Sequence, residues 1–470
     1  MFEKIDKYKA SIIACLICFV LGAGCIFTIY KTKTSDELEK FQTIYEILKD
    51  KWYYSNSIEN LDTLLVEQAI SGMVDFETDA HTNYFSMEQA SQFSSSLEGS
   101  NVGIGMTFYL DANNNMVCKK VFVDSPAEKA KLRSGDVLIQ VGDKICSEND
   151  SQDIISYIKE NENKELKIQY IRNNTLYQTS MTPCSYDATV VCEMYDDYGY
   201  IILNSFSENS AKSFHSAMKR LEKEGIKKLV LDLRDDSGGY LTSVLDIASC
   251  LLEKDSVVFL EEKKQETIEQ KTSNEYDCID MDSIVILQNE NTASAAEVLI
   301  GALKDNLKDK ITTVGTTTYG KGTEQVSIPF EDGTSLKYTI AQWKTPNGTS
   351  INNTGFEPDI EVNRDEVISV TYKQMEKEEI IEKDKVHSNA KALQIYLDYL
   401  GYNVDRKDTY FSIESSNALK QYQMDHNLEA TGDCDEKTFQ LIASEVLLKI
   451  NETHLDVQYD KAISLIVDMS

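Results

Sequence analysis

The chain is poor in the residues that build metal centres and disulfide frameworks. Its five histidines are dispersed and form no HExxH, and the seven cysteines outside the apolar stretch 11–30 contain no CxxC pair. Neither pattern fits a zinc site. Cys15, Cys18 and Cys25 lie inside an apolar stretch. The other seven (Cys118, Cys146, Cys184, Cys192, Cys250, Cys278, Cys434) are scattered and odd in number, so cysteine usage leaves the compartment open. Basic residues are also short: 47 Lys and Arg stand against 78 Asp and Glu, a net charge of −31. Such a surface repels a polyanion, which argues against a nucleic-acid binder. No internal repeat is present. A complete phosphate-binding loop is missing too. Gly315-x4-Gly320-Lys321 starts like one, but Gly322 stands where a Ser or Thr would hold magnesium.

What is present allows sizeable cores. The 470 residues are 41% apolar, with 25 Tyr and 16 Phe, enough for roughly three domains. Residues 11–30 carry no charge, about the length that spans a bilayer core. Lys4, Lys7 and Lys9 precede this stretch and Lys31 and Lys33 follow it, so charge does not decide its orientation. A retained single-pass anchor is expected, ahead of a cleaved signal or lipidation at Cys25.

Residues 35–97 have helical periodicity, with Phe41, Ile44, Tyr45, Ile47 and Leu48 on one face and a second run at 61–74. This predicts a packed helical hairpin. Residues 98–183 switch to short β-like runs (Gly103–Tyr109, Met116–Val123, Val137–Val141, Glu165–Ile171, Thr175–Met181), with one helix at Ser151–Asn161. From 190 to 365, strands at Tyr200–Leu203, Lys228–Leu233 and Ser283–Leu287 alternate with helices at Ser210–Glu224, Tyr240–Leu252 and Ser294–Leu307, an α/β core. The charged run 373–386 is expected as a solvated linker. Helical periodicity returns at 387–450, and 451–470 is left as a tail.

Three segments could carry chemistry. In IVILQNENTASAAEVLIGALKDNL (284–307) an apolar strand enters a polar turn and then a helix. Ser294 sits at that helix start beside the backbone N–H of Ala295, where the helix terminus favours a developing oxyanion. An ordinary N-cap serine would also fit this segment alone. In TTYGKGTEQV (317–326), Lys321 lies between two glycines and Gln325 follows four residues on. A lysine there becomes a general base if burial keeps it neutral. In KLVLDLRDDSGGYL (228–241), a strand ends in a turn where Gly238 or Gly239 could present an N–H to a carbonyl. Asp232 and Arg234 read as a structural ion pair, and Asp235 and Asp236 as solvent-facing turn residues.

In that order, DLRDDSGG (232–239), TASAAE (292–297) and YGKGTEQ (319–325) resemble the DLRxNxGG, SASASE and FGKGxxQ segments of the C-terminal processing peptidases, or tail-specific serine proteases. The resemblance implies a multidomain α/β protein with a crotonase/ClpP-like core. It assigns Ser294 as nucleophile, Lys321 as general base and Gln325 as the residue orienting the lysine. Oxyanion donors would be the backbone N–H groups of Ala295 and of Gly238 or Gly239, with no metal or cofactor. The chain departs from the pattern at Thr292, Ala296, Asp236 (the family's Asn) and Ser237, and its Ser–Lys spacing is about two residues longer. Residues 41–90, ending in DAHTNYFSMEQA, resemble the family's N-terminal helical segment, and 335–362 its closing strands.

Residues 98–185 resemble the family's PDZ domain, through SPAEKAKLRSGDVLIQVGDK (125–144) and GIGM, whose Gly103, Ile104, Gly105 and Met106 would form the carboxylate-binding loop. The tail resembles a three-helix peptidoglycan-binding module through KALQIYLDYLGY (391–402), NALKQYQMDHNLEATG (417–432) and DEKTF (435–439). The implied order is a cytoplasmic tail and transmembrane anchor (1–34), helical region (35–97), PDZ domain (98–185), protease core (186–372), linker (373–386), peptidoglycan-binding-like domain (387–450) and tail (451–470). The implied partners are protein substrates with accessible C-termini, peptidoglycan and the cell membrane, with the catalytic part extracytoplasmic; the N-terminal helices permit a homodimer. The competing reading is an inactive, wall-tethered peptide-binding scaffold.

Overall fold

The computed structural model describes residues 36–468 except 112–113, 377 and 454. The expected membrane span at 11–30 lies outside them, and no helix among the described residues is long and apolar enough to cross a membrane. The chain divides into two compact units. One comprises residues 36–86 with 327–338, the other 87–326 with 339–468.

In the first unit, helix α1 (Asp36–Asp50) precedes helix α2 (Leu61–Val74), and strand β1 (Asn83–Phe85) pairs antiparallel with Ser335–Lys337. The expected packed hairpin is not what forms. No residue of α1 is buried, and Phe41, Ile44 and Ile47 are exposed along the face that periodicity assigns to a core. Periodicity reports that a helix has an apolar stripe, not that a partner covers it.

The second unit begins with a β-domain. Strands β2 (Ser100–Gly103), β3 (Met106–Leu110), β4 (Met116–Val121) and β5 (Val137–Val141) precede helix α3 (Ser151–Glu160). Strands β6 (Leu166–Arg172), β7 (Thr175–Met181) and β8 (Cys184–Asp187) follow. The main sheet runs β3-β4-β5-β6-β7, while β2 pairs with β8. The single strand expected at 103–109 is therefore split. Gly105 has φ +84, and a Cβ there would stand 2.1 Å from the Ser125 Cβ, so the chain can turn out of β2 only at a glycine. β3 is left as an edge strand.

The α/β core carries one six-stranded sheet. In chain order its elements are β9 (Val190–Met194), β10 (Gly199–Leu203), α4 (Ser210–Lys223), β11 (Lys228–Asp232), α5 (Leu241–Ser249), β12 (Ser283–Gln288), α6 (Ala295–Leu307), β13 (Ile311–Gly315) and β14 (Ile360–Glu361). The strands lie side by side in that same order. β9 is antiparallel to β10 and the rest are parallel, with Val230 opposite Val285 and Val285 opposite Thr312. Every residue of β12 is buried, as a parallel strand covered on both faces requires. Alternate residues separate two cores. Ile201, Leu229, Leu231, Ile284 and Ile286 pack with Phe214, Val244 and Leu299 of the helices. Tyr200, Ile202, Val230, Val285 and Leu287 face the other way.

The C-terminal module holds α7 (Ala390–Leu400), α8 (Ile413–Asp425) and α9 (Glu436–Thr453). The run 373–386 is not a free linker. Ile380–Ile381 pairs with Cys434–Asp435 and Lys385–Val386 with Tyr410–Phe411, because Met375 and Ile381 supply apolar side chains to the module's core. The last residues are not a loose tail either. Helix α10 (Val457–Asp468) lays Ala462 and Ile466 against the second face of the core sheet.

Candidate active site

Two turns meet at the carboxyl ends of β11 and β12. Thr292 donates its hydroxyl to the Leu233 carbonyl (2.8 Å), and Ala293 N–H donates to the Asp236 carbonyl (2.9 Å). Asn289 accepts from the Asp235 N–H (2.9 Å) and donates Nδ2 to the Asp235 carboxylate (2.7 Å). The turn that delivers Ser294 is thereby stitched to the glycine turn.

Ser294 is half-buried at the head of α6, with φ 55 and ψ −116. An ordinary N-cap has extended backbone, so this serine is held in a strained conformation that a non-glycine residue adopts only under constraint. Gly238 lies directly against it. A Cβ on Gly238 (φ +100) would stand 2.9 Å from both the Ser294 Cβ and the Ala295 nitrogen. Gly239 is as tightly held, since its Cβ would stand 2.2 Å from the Phe206 carbonyl oxygen. The structure thus brings Ser294, Ala295, Gly238 and Gly239 together. The Gly238 N–H is already committed, donating to Asp236 Oδ1 at 2.8 Å.

Lys321 is half-buried in a loop that Gly320 (φ +87) turns sharply. Its carbonyl accepts from the Trp343 indole N–H (3.0 Å). Gln325, two residues past Thr323, donates Nε2 to the Thr323 hydroxyl (2.9 Å) and the Thr339 hydroxyl (3.2 Å).

Glu297 joins the Ser294 and Lys321 segments, a role the sequence reading did not assign. It is wholly buried. Its Oε2 accepts the backbone N–H groups of Ser294 (2.8 Å) and Lys321 (2.9 Å), and its Oε1 accepts from the Gly320 N–H (2.7 Å) and the Thr318 hydroxyl (2.6 Å). The signal was available: Ser-x-x-Glu at a helix start is the capping-box spacing. These bonds also dispose of the phosphate-loop resemblance, because the amides of Gly320 and Lys321 are occupied by a carboxylate.

Asp232 and Arg234 form the expected ion pair, with Nη2 2.6 Å and Nε 2.9 Å from the carboxylate. Burial would raise the Asp232 carboxyl, but Arg234 and the Tyr200 hydroxyl outweigh it and hold it low. Asp235 is exposed as expected. Asp236 corrects the sequence reading, being wholly buried with Oδ2 lacking a hydrogen-bond partner. Burial, opposed by the Gly238 N–H, pushes its carboxyl well above the ordinary range. Burial therefore favours its protonated form, which is close in shape to the Asn of the family pattern.

In the β-domain, Gly103, Ile104, Gly105 and Met106 form the connection from β2 into edge strand β3. The Ile104 carbonyl accepts from Ala127 N–H (2.7 Å), and that of Gly105 from Phe122 N–H (3.1 Å) and the Ser125 hydroxyl (3.2 Å).

Residues 197–362 match the family described as peptidase family S41, and 386–442 match a peptidoglycan-binding domain. A probable CtpA-like serine protease of Staphylococcus aureus (strain bovine RF122 / ET3-1) is 32% identical, over 91% of this chain and 85% of its own. The chain belongs to peptidase family S41. A second probable CtpA-like serine protease, from Staphylococcus haemolyticus (strain JCSC1435), is 30% identical over 88% of this chain and 82% of its own. Among solved structures, the photosystem II D1 C-terminal processing protease aligns over 70% of this chain and 94% of that one, at 22% identity and a TM-score of 0.40. This S41 peptidase is a serine endopeptidase of the C-terminal processing type, with an α/β protease core and a C-terminal helical region.

Proposed function

We propose that the protein is a membrane-anchored, extracytoplasmic endopeptidase that works with Ser294 as nucleophile and Lys321 as general base. The observation that carries this reading is the shared carboxylate: Glu297 Oε2 accepts the main-chain N–H of both residues. Neutral Lys321 takes the Ser294 proton as Oγ attacks the scissile carbonyl. The N–H groups of Ala295 and Gly239 stabilise the oxyanion. Gly238, whose N–H is committed, shapes the turn. Collapse breaks the C–N bond, the amine leaves with the proton from Lys321, and water hydrolyses the ester. Gln325 acts from the strand that follows the Lys321 loop (Thr323–Pro329) to orient the lysine.

Substrates are proteins with accessible C-termini. The β-domain serves as a PDZ domain, in which the chain end adds to β3 and its carboxylate meets the 103–106 loop. The position of β3 at the end of the main sheet supports this. So do the contacts fixing that domain to the core, where Val123 N–H donates to the Val190 carbonyl and Arg220 pairs with Asp124 at 2.7 Å and with Glu128. Residues 11–30 hold the chain in the membrane, and the C-terminal module tethers it to peptidoglycan. The exposed apolar face of α1 supports pairing with a second copy.

The test is cleavage of an unstructured reporter by the purified full chain, beside Ser294→Ala and Lys321→Ala. Cleavage by wild type and its near-complete loss in both variants is expected. Cleavage by the variants would overturn the assignment, and a silent wild type across varied reporter C-termini would favour the scaffold reading.

A further inference from the structure

Helix α10 lies beyond both family matches, which end at residues 362 and 442, yet it is built into the protease core. Ala462 and Ile466 are wholly buried against Val230, Val285 and Leu287. Burying an isoleucine alone contributes about 1.5–3 kcal/mol. The Tyr459 ring stands edge-on to Tyr200 at 4.9 Å between centroids. Its hydroxyl lies 3.2 Å from that of Tyr198. The helix completes the second face that a parallel sheet requires.

Its first turn reaches further, into the site. Asp456 Oδ1 accepts from Arg234 Nη1 at 2.8 Å and also from the Tyr459 N–H at 3.0 Å. Gln458 is wholly buried and fully engaged. Its Nε2 donates to the Val362 carbonyl (2.7 Å), and its Oε1 accepts from Arg234 Nη1 (3.2 Å) and Arg364 Nε (3.3 Å). Each arginine carries the contact inward. Arg234 grips Asp232 with two hydrogen bonds, and Arg364 Nη2 lies 3.0 Å from Asp235 Oδ2. Asp235 is the residue bonded to Asn289 and Asn291 in the serine turn. Asp236, next along, takes the Ala293 N–H, and Gly238 abuts Ser294. Two arginine side chains thus link the start of α10 to both turns around the nucleophile.

We propose that Asp456 and Gln458 are positioning residues of the proteolytic site, locking Arg234 and Arg364 and through them the turns that hold Ser294 and the oxyanion donors. The inference rests on the serine–lysine reading above. Oxyanion donors act only when preorganised, and displacements of about 1 Å are enough to cost large factors in rate.

The test uses the full chain as wild type, Asp456→Ala, Asp456→Asn, Gln458→Met, the Ala/Met double variant and Ser294→Ala. It measures serine acylation by a fluorophosphonate probe, kcat and KM on the reporter, and thermal melting. The double variant is expected to acylate about tenfold more slowly or worse, with kcat falling in parallel and KM within about twofold. Asp456→Asn keeps the acceptor oxygen and should recover most of the rate. A purely structural role would move melting without moving acylation well below the melting temperature. If the double variant fails to fold, the single variants carry the same comparison. Wild-type acylation rates in folded variants overturn the inference alone. No wild-type labelling, or labelling that survives Ser294→Ala, overturns the serine reading and this inference with it.

Discussion

Ser294 and Lys321 donate their backbone N–H groups to one oxygen, Oε2 of Glu297, at 2.8 and 2.9 Å. The two residues come from different loops, 27 positions apart in the chain, and a single buried carboxylate sets where both main chains run.

Glu297→Ala leaves the N–H groups of Ser294, Gly320 and Lys321 and the Thr318 hydroxyl without their acceptor. Each buried orphan costs about 1–3 kcal/mol. A reporter-cleavage rate lowered about a hundredfold or more is expected, together with a lower melting temperature. Glu297→Gln, which keeps one acceptor oxygen, should fall between the two. Cleavage at the wild-type rate by Glu297→Ala would refute the bridging role.

Ser294→Gly should be inactive yet more stable than wild type. At φ 55 and ψ −116 the serine stores strain of about 1–3 kcal/mol, and glycine relieves it at an entropic cost of about 0.5–1 kcal/mol. Denaturant unfolding of the two proteins measures the net gain. A destabilised glycine variant would show that the backbone there is relaxed.

Asp236→Asn tests the raised carboxyl. The folded pKa is raised above the unfolded value, so the stability it contributes is full below the ordinary carboxylate range and is lost as pH rises through the folded value. The asparagine variant should match wild type in acid and gain in melting temperature as pH rises, while keeping its proteolytic rate. A variant less stable than wild type at neutral pH would mean that the buried carboxyl is ionised.

Glu324 offers a second titration. Burial and the adjacent Glu261 carboxyl push it up to about 7. Glu261 itself is buried and paired with Lys263 (2.7 Å) and Gln270 (2.7 Å). Stability is therefore present below about 4.5 and is lost as pH rises through about 7. Glu324→Gln should melt higher than wild type near pH 8.5 and equally near pH 5, read by melting curves across that range. Parallel curves would refute it.

Much of the core was legible locally. The strands at 200–203, 228–233 and 283–287 are short apolar runs, and the helices between them are bounded by turn residues. In the structure these elements sit within one to three residues of the expected limits. Glycine pairs around Lys321 and in the 238–239 turn marked where backbone must bend or approach closely. The misjudged positions share one cause. Phe41, Ile44 and Ile47 form a stripe whose covering is not a local property. Asp236 reads as a turn aspartate until another turn closes over it, and Met375 and Ile381 are outnumbered by charges in a run that nonetheless pairs with distant strands.

The sequence by itself determined the local elements, the order of the three chemistry-bearing segments and the residue types at the site, because periodicity, capping and glycine geometry act over a few residues. Only the tertiary structure decided that Glu297 holds both loops, that Asp236 is buried with its carboxyl pushed up, and that α10 closes the protease sheet. Those properties depend on which surfaces meet and which polar groups lose water, and burial is set by residues as far apart as Arg234 and Gln458.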